Sequence, residues 1–209
     1  MRRAGLIVAA LIGVASLVGP NTSALADPPP PPSEATARTE LAALTVGTPH
    51  SMDGYSRDAF DIWASQPDGC TTRQDVLARD GDGVVEGDDG CQPTSGTWYS
   101  AYDDTNVTVV AQATIDHVVP LAEAWRTGAD EWTADQRKAF GNDLTDAQLI
   151  IASSSSNSSK SDQDPSEWKP PNHAYWCTYG EQYVSVKYKF DLFVTSAEKT
   201  ALGELLDAC

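Results

Sequence analysis

The residues best suited to chemistry are an acid and a histidine that stand side by side, Asp116 and His117. The chain has only three histidines. His117 is better placed than His50 or His173, because it ends an apolar segment and precedes a proline turn. A histidine, with an unperturbed pKa of about 6.5, can take a proton from water, and a carboxylate suits a hard divalent cation. The pair therefore predicts metal-assisted hydrolysis, although a strand-end pair without a catalytic role is the commoner explanation of such a dipeptide alone.

Alternating apolar residues predict that this pair ends a strand. The alternation runs over residues 107–115, and Pro120 interrupts it shortly after the pair. Residues 149–152 predict a second, short strand, and the alternation in residues 182–194 predicts a third. These strands are the elements that would have to position the chemistry.

Short helices are predicted between and after the strands. One covers residues 121–126, and a second begins at the capping box of Thr133 and ends near Gly141. A helix entry is expected at Asn157, and a last helix from Ser196 carries leucines on its buried side. Because helices and strands alternate without regular βαβ units, the fold class is predicted to be α+β.

Six segments occur in a fixed order around and after the pair. They are IDHVVPLAEAW at 115–125, RKAFGNDL at 137–144, N-x-x-K at 157–160, DPSEWKPP at 164–171, Cys-Thr-Tyr at 177–179 and LLDAC at 205–209. Together they resemble the secreted HNH (His-Me finger) nucleases, which are related to the C-terminal domain of GmrSD-type restriction endonucleases. The resemblance runs from about residue 70 to residue 209, and the ordered set is far more specific than any one segment.

This resemblance implies a ββα-metal core with extra helices and strands, in which His117 ends the first strand and acts as the general base. Asp116 and Asn157 would bind one divalent cation, with Asn157 on the helix after the second strand. Oxygen ligands suit magnesium (Mg²⁺) or manganese (Mn²⁺) better than zinc. The expected activity is hydrolysis of phosphodiester bonds in DNA, with RNA as a second substrate, leaving 5′-phosphates and showing little sequence specificity.

Two positions depart from the pattern of these nucleases. The middle Asn of the HNH motif, which braces the loop before the second strand, is replaced by Asp146, and Asn142 is a displaced candidate for the same role. The Lys-Gly-Asp that often follows the metal-site Asn is Lys160-Ser161-Asp162 here. An aspartate can accept the same backbone hydrogen bonds but cannot donate them.

Three basic residues are candidates for contact with substrate. Lys160 lies one helical turn after Asn157, so it is predicted to hold a substrate phosphate from the same side of the helix. Arg137 and Lys169 would add a local basic rim. The alternative for each is an ordinary solvated side chain.

The start of the chain has the pattern of an export signal. Arg2 and Arg3 precede an apolar run that ends in Ala-Leu-Ala, which predicts a signal peptide over residues 1–26 and a secreted, extracellular protein. Residues 27–39, with five consecutive prolines, are predicted to form a disordered tether. Residues 40–209 would then be a single nuclease domain with no membrane anchor, expected to be a monomer.

Four cysteines lie in the exported part of the chain, and an even count favours two disulfides. Three pairings are possible. The nearest-neighbour scheme, Cys70–Cys91 with Cys177–Cys209, closes modest loops and fixes the C-terminus. The spacing does not match a zinc knuckle, so no structural zinc is expected.

The charge of the chain argues against a nucleic-acid substrate. Without Arg2 and Arg3, 12 basic and 30 acidic side chains give a formal charge of −18, which repels a polyanion unless a cation or a local basic patch intervenes. A catalytically silent extracellular binding module on the same fold is therefore the alternative function. A hydrolase of another kind ranks last, because the sequence has no G-x-S-x-G or H-E-x-x-H motif.

Overall fold

In the computed structural model, the Asp116-His117 pair lies at the end of a strand in a mixed α+β fold. The structure describes Met1 and residues 28–209, so the predicted signal peptide lies outside the described residues apart from Met1. The α+β class predicted from the sequence is confirmed. Both disulfides follow the nearest-neighbour scheme, Cys70 with Cys91 and Cys177 with Cys209.

A two-stranded antiparallel hairpin carries the pair. We number the elements in chain order, and strand β4 (Ala113–His117) pairs with β5 (Leu149–Ser153), so that Asp116 lies opposite Ile150. All five residues of β5 are buried, which suits a short apolar strand covered on both faces. Helix α5 (Ser154–Lys160) follows directly, and the Ser153 hydroxyl caps it by accepting a hydrogen bond from Ser156 N.

The segment between β4 and β5 is a helical insertion. It contains α3 (Leu121–Arg126), a short 3₁₀ turn (Ala129–Glu131) and α4 (Ala134–Gly141). The capping box predicted at Thr133 is present, since its hydroxyl accepts from Gln136 N while the Gln136 side chain accepts from Thr133 N. Both helices predicted here are confirmed.

A second, three-stranded antiparallel sheet packs beside the hairpin. Its order is β1 (Gly81–Glu86), β2 (Pro93–Ser100) and β3 (Thr105–Val107), and α2 (Thr72–Arg79) lies against both sheets. The prediction of one strand over residues 107–115 is wrong. The chain leaves β3 after Val107, passes through a 3₁₀ turn (Val110–Gln112), and pairs with β5 from Ala113, so the alternation spans two sheets.

A layer of three helices forms the other side of the core: α1 (Glu34–Ala43), α6 (Trp176–Lys189) and α7 (Ser196–Leu206). The strand predicted over residues 182–194 is wrong, because residues 182–189 belong to α6. Tyr179, Tyr183 and Val186 are buried at helical spacing. They form the apolar face by which α6 packs on the core. The alternation seen in the sequence is only a part of that helical pattern. The last helix, predicted from Ser196, is confirmed.

The predicted disordered tether, 27–39, is wrong for its second half. Helix α1 begins at Glu34, is capped by Ser33, and buries Ala37 completely. Arg38 donates to the carbonyl of Leu206 and pairs with the Asp207 carboxylate. Prolines bias the chain against helix only up to residue 32, and the residues after them pack on α6 and α7.

A buried ion cluster ties α3, α6 and α7 together. The fully buried Lys187 ammonium lies 2.9 Å from Glu123 Oε1 and 2.7 Å from Glu198 Oε1. Asp164 adds a third carboxylate, and oxygens of the three acids lie within 4.8 Å of one another. Burial raises the pKa of Glu198 to about 7, opposed by the Lys187 charge.

This cluster makes stability depend on pH. Since the unfolded Glu198 carboxyl has an ordinary pKa near 4.5, the folded protein keeps a proton between pH 4.5 and 7 that the unfolded chain releases. The free energy of unfolding therefore falls as the pH rises through this window, on the order of 3 kcal/mol. Glu198→Gln should remove that fall, as measured by thermal unfolding from pH 4 to 8. The exposed Glu131→Gln is the control, and a Glu198→Gln profile parallel to wild type would contradict the assignment.

Candidate active site

A cavity of about 360 Å³ opens at the end of β4, and Asp116, His117 and Asn157 all line it. Its walls come from the β4–β5 hairpin, from the start of α3, from the end of α5, and from the segment 52–57. The other lining residues are Met52, Tyr55, Arg57, Ile115, Pro120, Leu121, Ala122, Ser161 and Asp162. The structure thus brings the three principal site residues predicted from the sequence to one place.

The imidazole of His117 is held in one tautomer. Its Nε2 lies 2.9 Å from the backbone oxygen of Gly141, and because a carbonyl can only accept, Nε2 must carry the proton. Nδ1 is then left with its lone pair. Burial lowers the pKa of His117 to about 3, and the positive charges of Arg57 and Lys160 add to this effect. The ring is therefore neutral at physiological pH, with the lone pair on Nδ1.

Asp116 is a nearly buried carboxylate with one oxygen fixed. Its Oδ2 accepts a hydrogen bond from the Tyr102 hydroxyl at 2.7 Å and lies 2.8 Å from the Lys160 ammonium. The second oxygen, Oδ1, has no hydrogen-bond partner within residues 28–209. One oxygen anchors the side chain, and the other remains available to a ligand in the cavity.

The amide of Asn157 is oriented by Thr114 on β4. The Thr114 hydroxyl donates its single proton to the carbonyl of Ala152 at 2.7 Å, so towards Asn157 it can act only as an acceptor. Asn157 Nδ2 donates to it at 3.1 Å. This arrangement directs Asn157 Oδ1 away from Thr114 and leaves it without a partner among the described side chains.

The structure contradicts the predicted substrate contact of Lys160. This lysine is fully buried, and its ammonium donates to the backbone oxygen of His117 at 2.9 Å as well as pairing with Asp116. A phosphate in solution cannot reach it. The prediction failed because helical spacing places Lys160 beside Asn157 on the helix but does not say which side of the helix faces the core.

Arg137 and Lys169 do not form the predicted basic rim. Arg137 donates to the backbone oxygens of Ala59, Ala129 and Trp132, so it holds α4 to neighbouring loops. Lys169 pairs with Glu204 on α7 and lies over the Trp176 ring. Neither lines the cavity, and both predictions are wrong.

The brace of the loop after β4 is neither Asp146 nor Asn142. Asp146 pairs with Lys189 and is partly exposed, and Asn142 accepts from Ala64 N and Thr72 Oγ1. The brace is instead the fully buried Gln148. Its side chain accepts from Val119 N at 3.0 Å and donates to Val119 O at 2.9 Å, and its backbone oxygen accepts from Val118 N.

Gln148, two residues beyond Asp146, therefore braces the loop, which is the role predicted for the middle Asn of the HNH motif. Gln148 can both donate and accept, which an aspartate at the same place could not. The sequence signal that could have identified it is its position directly before Leu149, where β5 begins and the loop from β4 must be closed.

Comparisons with known proteins place the chain in a family. Residues 90–205 match the family described as "GmrSD restriction endonucleases, C-terminal domain". An "Uncharacterized secreted protein" of Arthroderma benhamiae is 48% identical over 182 residues, covering 87% of this chain and 89% of that protein.

This similarity confirms the prediction that the protein is secreted. No solved structure matches the chain. Within the described residues, no helix combines the length and apolarity needed to cross a bilayer.

Proposed function

Because the chain belongs to the family of GmrSD restriction endonuclease C-terminal domains, we propose that it is a secreted, metal-dependent endonuclease. It hydrolyses phosphodiester bonds of DNA, and of RNA as a second substrate, with little sequence specificity. One observation carries the proposal: a carboxylate, an amide and a neutral imidazole line one cavity with Asp116 Oδ1, Asn157 Oδ1 and His117 Nδ1 free of partners in the described chain. In this proposal β4, β5 and α5 form the ββα-metal core.

The donor atoms suit a hard cation. Carboxylate and amide oxygens are typical ligands of Mg²⁺ and Mn²⁺, which keep several waters and need few protein ligands. Asp116 and Asn157 would hold one such ion. When bound, it neutralises charge on the phosphate and on the leaving oxygen. Among the described residues the buried acids around Lys187 are a poorer choice, because an ammonium already occupies the centre of that cluster.

His117 would act as the general base of the hydrolysis. Its Nδ1 takes a proton from the water that attacks phosphorus, while the Gly141 carbonyl holds Nε2–H and fixes the ring plane. The new P–O bond forms as the P–O3′ bond breaks. The 3′ oxygen leaves with the electron pair and takes a proton from solvent, and the product carries a 5′-phosphate.

A plasmid assay tests the proposal. The mature protein is incubated with supercoiled plasmid in EDTA or in Mg²⁺, Mn²⁺, Ca²⁺ or Zn²⁺, with single-stranded RNA in parallel. We expect nicked and linear DNA with Mg²⁺ or Mn²⁺ and none in EDTA. Intact plasmid with every cation, at any protein concentration, would overturn the proposal. That result would favour the alternative function, a catalytically silent binding module, which is consistent with the high negative charge of the chain.

Tyr102 should tune the affinity for the cation, since it orients Asp116. The fully buried ring packs edge-on against Trp168 and Tyr179, so Tyr102→Phe keeps the packing and removes only the hydrogen bond to Asp116. Groups that orient a metal ligand typically change affinity by about 10- to 100-fold. We expect a rise of the Mn²⁺ Kd by about 10-fold in calorimetric titration without substrate.

The matched control is Tyr175→Phe, from the same aromatic cluster. The Tyr175 hydroxyl donates to Gln182 and not to Asp116. An equal rise of the Kd in both variants would mean that Tyr102 acts through general packing.

A further inference from the structure

One guanidinium at the cavity has no partner among the residues that the structure describes. Arg57 lines the cavity together with Asp116, His117 and Asn157, and its side chain is exposed. Of the arginines within residues 28–209, it alone makes no hydrogen bond or ion pair. Arg126, by contrast, pairs with Glu123 and with Asp162, which lines the cavity.

The backbone that carries Arg57 is firmly held. Arg57 begins a 3₁₀ turn (Arg57–Phe60) that Ser56 caps by accepting from Asp58 N at 3.2 Å. Phe60 at its end is fully buried, and Ala59 O accepts from Arg137. A fixed backbone with an unpaired, solvent-accessible guanidinium is suited to bind a ligand without a large ordering cost, because only the side-chain rotamers must be fixed.

The cavity needs a positive group if it takes a polyanion. The whole chain has a formal charge of −16, and Asp116 and Asp162 add negative charge to the lining itself. Lys160 is buried against Asp116 and cannot contact a strand. Within the described part of the lining, the remaining cationic side chain is Arg57.

We propose that Arg57 binds a phosphate of the nucleic-acid strand at this cavity, with its two terminal N–H groups donating to the non-bridging oxygens. This inference rests on the proposed nuclease function and names the protein group that would hold its substrate. A guanidinium matches phosphate in a bidentate geometry that a lysine cannot reproduce. Arg57 also lies before residue 90, where the family match begins, so the N-terminal part of the chain completes the site.

A binding experiment separates this role from catalysis. A fluorescein-labelled DNA duplex is titrated in Mg²⁺ with His117→Ala protein over a series of KCl concentrations. This variant is the parent because it should cleave about 10²- to 10⁴-fold more slowly than the unmodified protein. Losing a charge-assisted phosphate contact should weaken binding by about 10-fold in Arg57→Ala at low salt. The slope of log K against log salt should become less negative by about 0.9. Arg57→Lys should retain the slope and bind several-fold more weakly than the parent.

Arg38→Ala is the matched control, since it removes the same charge at a site that does not line the cavity. It should leave the DNA Kd and the salt slope at the parent's values. Thermal unfolding midpoints within a few degrees of the parent show that each variant is folded.

Two results would overturn the inference about Arg57, and only the second would also overturn the proposed function. If unmodified protein cleaves plasmid but Arg57→Ala matches the parent in Kd and slope, only the role of Arg57 is wrong. If the parent binds no DNA and unmodified protein cleaves none with any cation, the proposed function is wrong as well.

Discussion

Replacing His117 by Ala is expected to lower the rate of Mg²⁺-dependent plasmid cleavage by about 10²- to 10⁴-fold, the usual contribution of a positioned general base. The physical reason is that, in the proposed mechanism, His117 Nδ1 accepts the proton of the attacking water, while Nε2 donates to Gly141 O. The measurement is the initial rate of supercoiled plasmid loss at saturating cation.

Two further variants separate catalysis from folding, because the His117 side chain is buried. His117→Gln retains an amide that can donate to Gly141 O but offers no basic nitrogen, and it should be as inactive as the alanine variant. His173→Ala removes an exposed histidine stacked on Trp176 and should cleave at the wild-type rate. Wild-type cleavage by folded His117→Ala protein would rule out His117 as the base.

Replacing Lys160 by Met should lower the free energy of unfolding by about 3–5 kcal/mol, because it removes the cation of a buried pair. The Asp116 carboxylate would lose its ammonium partner, and the His117 carbonyl would lose a donor. Urea unfolding measures the change. The exposed pair Lys138–Asp61 is the comparison, where Lys138→Met should cost about 0–1 kcal/mol.

A double variant distinguishes this explanation from a loss of packing. Asp116→Asn in the Lys160→Met background removes the uncompensated charge and should recover part of the lost stability. Wild-type stability of Lys160→Met together with weakened DNA binding would contradict the role of Lys160 in a buried ion pair with Asp116. It would favour the substrate contact that helical spacing suggested.

The strand end that carries Asp116 and His117 and the second strand of the hairpin could be predicted from the sequence, whereas the start of the first strand could not. The apolar run into Asp116 and the short segment 149–152 are strongly β-forming, and the capping box at Thr133 marks a helix independently of tertiary structure. Local signals of this kind depend only on residues that are close in the sequence, so they can be recognised without knowledge of the tertiary structure.

Other features depend on tertiary contacts that a pattern does not contain. Residues 182–194 alternate as a strand would, yet Tyr179 and Tyr183 pack as one face of a helix against the core. The burial of Lys160 follows from where α5 lies on β4, and Arg57 stands in a turn without any periodicity. Gln148 was missed because the loop that it braces is closed by an insertion of two helices.

The most direct measurement is the position of a bound cation. Crystals of the protein soaked in Mn²⁺ and measured at the manganese absorption edge give an anomalous difference map. We predict one strong peak in the cavity at about 2.0–2.3 Å from Asp116 Oδ1 and Asn157 Oδ1, with His117 Nδ1 facing the same space. A peak at the buried acids around Lys187 instead, or no peak near Asp116 at saturating Mn²⁺, would contradict the proposed metal site.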